Sequence, residues 1–245
     1  MSGAIALVGS GEYLPQMIEL ERSLIAEGKK NGRKEIYLQL PTAAGQESSN
    51  RLEYWSNLGK QQAERLGIES VTLPIFDRES ANDPSFAKML ENAALIYLSG
   101  GDPHFLADTL RDTLAWRAIE SNLREGGSLA GCSAGAMVLG SEVPHFRLSR
   151  GPAVTGLALV PNIRVIPHFD KFFKWIPESS AKLIVDVPAG RVLMGIDELT
   201  ALVKRSGAKQ WEVFGSARVH VLKGATPQVL SHGEVFRFDE GSIDK

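Results

Sequence analysis

The sequence predicts an α/β fold: a mostly parallel, doubly wound sheet with helices on both faces, followed by a C-terminal antiparallel β extension. Three observations predict it. Short apolar runs alternate with longer segments of helical periodicity through the first half of the chain, most runs stop at glycine or proline, and from Trp211 onward the pattern changes to short strand-like pieces punctuated by glycine. One domain spanning 1–245 is expected, with the extension over about 206–240.

Ala4 to Val8, AIALV, reads as a buried first strand ending in the glycine loop Gly9-Ser10-Gly11. Leu14 to Lys29 follows as a helix, with Met17, Ile18, Leu20, Leu24 and Ile25 near helical spacing. Glu35 to Leu40 is a second strand stopped by Pro41, and Ser48 to Leu66 a long helix closed by Gly67. Val71 to Ile75 supplies a third strand, and DRESANDPS reads as a loop leading into a short helix over Phe86 to Asn92. Ala94 to Ser99 is the next buried strand; it ends at Gly100-Gly101, with helical segments across Phe105 to Leu110 and Thr113 to Arg124.

The small or apolar Ser128 to Ala130 forms another strand, and Ala136 to Leu139 opens a buried helix. Glu142 to Thr155, rich in Arg, Pro and Gly, reads as a loop. Ile163 to Pro167 is a strand leading to His168, and Lys171 to Val185 is helical in part, interrupted by Pro177. Arg191 to Ile196 is an apolar strand running into Asp197-Glu198, and Thr200 to Lys204 is the strand after it. From Trp211 to Phe238, short segments separated by Gly215, Gly224 and Gly233 suggest an antiparallel hairpin extension.

Composition narrows the function. A hydrophobic share of 43% with 23% charged residues is that of a soluble globular protein, and a net charge of -2 gives no reason to expect nucleic acid or an anionic membrane as partner. The single cysteine, Cys132, rules out an intramolecular disulfide and fits a reducing compartment. The opening MSGAIALVGSGEY lacks a basic region and a long apolar segment, and no apolar run reaches the roughly 18 residues of a spanning helix. A cytoplasmic protein is therefore expected. Nothing calls for a metal or other cofactor. The oligomeric state is not readable, a homodimer being one option.

The chemistry centres on Gly131-Cys132-Ser133-Ala134-Gly135, a match to G-x-S-x-G, in which a serine sits on a sharp turn between a buried strand and a helix. Tight approach of turn and helix leaves no room for side chains at the flanking positions. Ser133 would project from the turn beside the backbone N–H of Ala134, and the Gly100-Gly101 pair would offer a second donor to an oxyanion. Sites in such sheets form beyond the carboxyl ends of the strands, where the loops Gly9 to Glu12 and Gly100 to Asp102 also fall.

A serine hydroxyl needs a base, most often a histidine held by a carboxylate. Of five histidines, His220 and His232 lie in the C-terminal β segment, His104 and His145 sit in loops where they would contact substrate, and His168 emerges at a strand end downstream of the serine. His168 is the candidate base. Asp197 and Glu198 stand together at the end of another strand, and alternation sends them to opposite faces, so one alone reaches His168. Capping or a salt bridge is the plainer role for the pair.

The set Gly9-Ser10-Gly11-Glu12, Leu98-Ser99-Gly100-Gly101-Asp102, Gly131-Cys132-Ser133-Ala134-Gly135-Ala136, Pro167-His168-Phe169 and Gly195-Ile196-Asp197-Glu198-Leu199-Thr200-Ala201 resembles the cyanophycinase and dipeptidase E family of serine peptidases. The resemblance runs from about residue 4 to residue 203. It implies the class I glutamine amidotransferase-like fold, Ser133 as nucleophile, His168 as base, Glu198 as orienting acid, and an oxyanion hole from Gly101 and Ala134. The dipeptidase E branch takes its acid from an aspartate between serine and histidine. This chain offers only Glu142 there, so the cyanophycinase-like arrangement fits better.

The implied activity is hydrolysis of an amide bond in a small peptide, acidic or isoaspartyl in character, with Asp102, Pro103, His104, Asp170 and Lys171 as candidate substrate contacts. Cyanophycinases carry glutamine where this chain has Pro103, and arginines where it has Asp170, Lys171 and Lys174. Lysine does not reproduce the forked carboxylate contact of arginine, so whether cyanophycin itself is cleaved stays open. Two other readings are a cysteine-dependent amidotransferase using Cys132, which the register of the turn disfavours, and a binding module that keeps the fold with a silent site.

Overall fold

The computed structural model describes residues 3–144, 153–175 and 187–237. The chain begins β1 (Ile5–Val8), α1 (Ile18–Lys30), β2 (Lys34–Leu40), α2 (Ser49–Leu66), β3 (Glu69–Thr72), α3 (Arg78–Ala81), α4 (Pro84–Leu90) and β4 (Ala93–Leu98). It continues α5 (Pro103–Leu110), α6 (Leu114–Arg124), β5 (Ser128–Cys132), α7 (Ala134–Val138), β6 (Glu142–Val143) and β7 (Val154–Thr155). Then come β8 (Ile163–Ile166), α8 (Phe169–Trp175), β9 (Val192–Ile196), β10 (Thr200–Lys204), β11 (Trp211–Gly215), β12 (Val219–Lys223), β13 (Gln228–Leu230) and β14 (Val235–Phe236).

Eight strands form the main sheet in the order β14-β11-β10-β1-β5-β4-β2-β3. From β1 to β3 every pairing is parallel, whereas β10, β11 and β14 extend the sheet antiparallel beyond β1. Strand alternation divides the core. Ile5 and Leu7 of β1 enter one cluster with α5, α6 and α7, while Ala6 and Val8 enter the other with Leu20, Leu24 and Ile25 of α1. Helix α1 approaches so closely that a Cβ on Gly28 would lie 2.2 Å from the Ala94 carbonyl oxygen, which is why the apolar stripe tolerates glycine there.

Local departures from the sequence reading have local causes. Strand β3 stops at Thr72 instead of running to Ile75, because Pro74 has no N–H for a ladder; Leu73 and Ile75 are buried nevertheless. In the Asp/Asn-rich stretch an extra turn of helix, α3, opens on a reciprocal cap between Asp77 and Ser80. The C-terminal strands are antiparallel, as the sequence implies, but consecutive β11 and β12 do not pair with each other. Strand β11 joins the main sheet and β12 joins a second one.

That second sheet, in the order β13-β12-β9-β8, was not foreseen. Its β8 and β9 are parallel, with Val165, Met194 and Val219 packed into the main core. Its other face carries Ile166, Leu193, Phe172 and Val187. The strand ends that carry the candidate residues therefore do not all belong to the single sheet the sequence predicts: Ser133 follows β5 of the main sheet, while His168 and Glu198 follow β8 and β9 of the second. Among the described residues, no helix is long and apolar enough to cross a membrane.

Candidate active site

Ser133 joins β5 to α7 with φ 51° and ψ -108°. A non-glycine residue held there is strained, and the surrounding contacts hold it. Its N–H donates to the Val8 carbonyl at 2.9 Å. A Cβ on Gly131 would lie 2.4 Å from the Gly135 oxygen, and one on Gly135 2.4 Å from the Leu98 oxygen. Both glycines of the motif are thus required by backbone contact, and the turn can have no other register.

His168 also has a left-handed backbone, φ 48°, and its N–H donates to the Gly9 carbonyl at 3.3 Å. Its Nε2 lies 3.1 Å from Ser133 Oγ, and its Nδ1 lies 2.8 Å from Glu198 Oε1. With a carboxylate on Nδ1, the neutral ring carries its proton there and leaves Nε2 to accept from the serine hydroxyl. The second Glu198 oxygen is ion-paired with Lys171 Nζ. The Glu198 N–H donates to Asp170 Oδ1 at 3.0 Å. Burial raises the Glu198 carboxyl pKa, but the bonds from Lys171 and His168 outweigh that and hold it below the usual carboxylate range. Lys171 is shifted upward, chiefly by its bond to Glu198.

The glycine turn after β4 approaches the serine turn: a Cβ on Gly100 would lie 3.3 Å from Ser133 Cβ. The Gly100 N–H donates to Glu12 Oε1 at 2.9 Å and the Asp102 N–H to the Ala43 carbonyl at 2.8 Å, whereas the N–H groups of Gly101 and Ala134 have no acceptor among the described residues. Ala134 is the first residue of α7, where no intrahelical acceptor exists. Gly101 has φ 144°, and a Cβ there would lie 2.4 Å from the Ala43 carbonyl carbon, so the turn requires glycine.

The other candidates fall into distinct places. Asp102 caps α5, accepting from the N–H groups of His104 and Phe105 at 2.8 and 3.1 Å, with Pro103 as first helical residue. His104 Nδ1 lies 3.6 Å from the same carboxylate. Asp170 and Lys171 both engage Glu198. Cys132 points to the opposite face of β5, fully buried in the α1-side cluster, with its thiol 3.0 Å from Glu12 Oε2. Burial first, then Glu12, pushes its thiol pKa well up, which keeps it from forming a thiolate. His145 lies outside the described residues. His232 Nδ1 accepts the Gly215 N–H.

Asp197 and Glu198 do separate as alternation predicts. Asp197 accepts the Arg218 N–H at 3.2 Å and meets His220 Nε2 at 3.2 Å, and the His220 ring packs 4.7 Å from Phe169. The roles of Glu12, of the Lys171–Glu198 pair and of the Asp197–His220 pair were not assigned from sequence. Glu12 stands in a quoted motif, so a signal existed; the other two depend on a sheet the sequence did not announce. No group of three or more His, Cys, Asp or Glu side chains suited to a metal ion occurs among the described residues.

The model of peptidase family S51 matches residues 5–210. A cyanophycinase of Trichormus variabilis is 33% identical over 183 residues, 69% of this chain and 57% of the relative. A crystal structure of a peptidase from an acI-B1 actinobacterium superposes with a TM-score of 0.94 at 58% identity, covering 97% of this chain and 98% of that one. A putative peptidase E from Listeria monocytogenes, at 19% identity and TM-score 0.63, shares the fold over 89% of this chain and all of its own.

Proposed function

The chain belongs to peptidase family S51, and we propose that it is a serine-type peptidase cleaving an amide bond in short peptides through an acyl-enzyme, with Ser133, His168 and Glu198 as its triad. The observation that carries this reading is the unbroken path from Ser133 Oγ through His168 to Glu198, at 3.1 and 2.8 Å, ending on a strained serine turn. In the first step Ser133 Oγ attacks the substrate carbonyl while His168 Nε2 takes its proton. The developing oxyanion receives the N–H groups of Gly101 and Ala134. His168 then protonates the leaving amine, and a water attacking the acyl-enzyme by the reverse proton path releases Ser133.

Glu198 stabilises the imidazolium formed in each step, and Lys171 with Asp170 fixes the carboxylate. Because the matched stretch is little over half the length of the curated cyanophycinase, substrate identity does not transfer with the family. A short peptide with an acidic or isoaspartyl residue is the substrate class proposed; Lys171, with its side chain 43% exposed beside the triad acid, offers a cation to such a carboxylate. Treatment with a fluorophosphonate probe, followed by mass spectrometry, should place the adduct on Ser133. Folded protein that stays unlabelled at Ser133 overturns the reading, and a peptide library then defines the cleaved sequence.

A further inference from the structure

The loop from Gly9 to Tyr13 touches every part of the site. Its carbonyls at Gly9 and Ser10 accept the N–H groups of His168 and of Leu199, the residue after Glu198, at 3.3 and 3.2 Å. The Tyr13 hydroxyl meets Ser99 Oγ at 2.6 Å. At its centre Glu12, 8% exposed, accepts the Gly100 N–H with one oxygen and the Cys132 thiol with the other. Positive φ at Gly11 and Tyr13, 97° and 61°, turns the chain on both sides of this side chain and aims it inward. A Cβ on Gly100 would lie 2.7 Å from Glu12 Oε1 and 3.3 Å from Ser133 Cβ. Gly100 is therefore held between the carboxylate and the nucleophile.

Each of Glu12's two partners immediately precedes a reactive position. Gly100 precedes Gly101, one oxyanion donor, and Cys132 precedes Ser133, which is followed by Ala134, the other donor. These two segments follow different strands, β4 and β5, whose register with each other ends at the Leu98–Gly131 pair. We propose that Glu12 is a positioning residue that sets the spacing between the Gly101 and Ala134 donors by tying the glycine turn to the serine turn. It touches neither substrate nor the reacting atoms. Its effect falls on the transition state, where a small displacement of a donor costs rate and leaves ground-state binding intact. This role rests on the peptidase reading of the same site.

The test uses the intact chain and a fluorophosphonate probe, with kinact and KI measured separately for Ser133. Glu12→Ala should lower kinact about 10- to 100-fold, somewhat less than outright loss of an oxyanion donor, with KI within about threefold. Glu12→Gln, whose amide oxygen still accepts from Gly100, should recover to within about fivefold. Should Glu12→Ala not fold, the thiol side decides: Cys132→Ser keeps a donor for Glu12 and should react like the parent, whereas Cys132→Ala should react about three- to fivefold more slowly. Equal rates for those two variants, or parental kinact in folded Glu12→Ala, overturn the proposal.

Amide hydrogen exchange gives a readout independent of activity. Glu12→Ala should speed exchange in 99–102 and 131–136 together, and Glu12→Gln should not; unchanged exchange in both variants also overturns the role. A parent protein that fails to label at Ser133 sinks the peptidase reading, and exchange still decides whether Glu12 ties the two turns.

Discussion

Replacing Glu198 by glutamine tests the acid assignment while preserving shape. The carboxylate stands 2.8 Å from His168 Nδ1. At that separation, attraction to an imidazolium at an effective dielectric constant of about 20 amounts to about 6 kcal/mol. Two features reduce it: Lys171 holds the other oxygen of Glu198, and both partners are about one-quarter exposed to screening solvent. We therefore expect a loss of about 3 to 4 kcal/mol of transition-state stabilisation, or about 10²- to 10³-fold in rate. Glutamine adds a second fault. If its oxygen faces His168, its NH₂ is set against the Lys171 ammonium; if it flips, the NH₂ faces Nδ1 and favours the tautomer that cannot accept the serine proton. Both faults act on kcat or kinact rather than on binding. Asp197→Asn should cost less than about fivefold, because Asp197 contacts Arg218 and His220 but not the triad. The assay is fluorophosphonate inactivation, repeated with a cleaved peptide once one is found. A larger loss for Asp197→Asn than for Glu198→Gln would overturn the assignment.

Ser133→Ala should abolish labelling and turnover, while Cys132→Ala should slow both by only about three- to fivefold; the reverse pattern in peptide cleavage would move the nucleophile to the cysteine. Glu21 gives a prediction about stability. It is fully buried on α1, its carboxylate oxygens reach no partner in hydrogen-bond geometry among the described residues, and burial raises its pKa to about 8, with Gln62, the Tyr13 backbone and Tyr37 offsetting this only in part. The unfolded chain releases this proton near the usual 4.5 and the folded chain near 8, so the proton uptake on folding costs nothing below about pH 4.5 and destabilises increasingly from there to pH 8. The displacement amounts to at most about 5 kcal/mol. Glu21→Gln should flatten the fall of Tm between about pH 5 and pH 8 and raise Tm by about 5 °C or more at the upper end; a slope equal to the parent's would show that Glu21 ionises freely in the folded protein.

Much of the main sheet is legible because its signals are local. The run AIALV, the stop at Pro41, the left-handed Gly67 that closes α2, and the glycines of GCSAG each determine structure within a few residues of themselves. The serine turn is legible for the same reason, since Gly131 and Gly135 answer to contacts within one strand–turn–helix unit and the adjacent Leu98. The second sheet is not legible. A strand such as Val219–Lys223 reads as one arm of a hairpin with β11, and nothing within it says that it leaves its neighbour to pair with β9. Asp170 and Lys171 illustrate the same limit. Standing where the resembled family carries arginines, they suggest substrate contacts, and only the placement of β9 beside β8 brings them to Glu198.

The division of the proposed triad between two sheets changes what must be rigid. Ser133 rides on β5, held on both sides by parallel neighbours. His168 and Glu198 ride on β8 and β9, whose register with each other fixes the 2.8 Å contact but not the distance to the serine. That distance depends on how the second sheet packs on the main one through a close-packed interior, and on the link from Glu198 into β10 of the main sheet. The hydrogen bond from His168 to Gly9 crosses this boundary, while that from Leu199 to Ser10 prolongs the β1–β10 ladder of the main sheet, and Gly9 is kept side-chain-free by the Asp197 oxygen, which a Cβ would meet at 2.2 Å. The Asp197–His220 pair and the Phe169 ring against Gly195 brace the same junction from the second sheet's side. Beside the link from β9 to β10 that carries Glu198, the first loop is thus a second place where the two sheets meet at the proposed site, although the loop supplies no reacting atom.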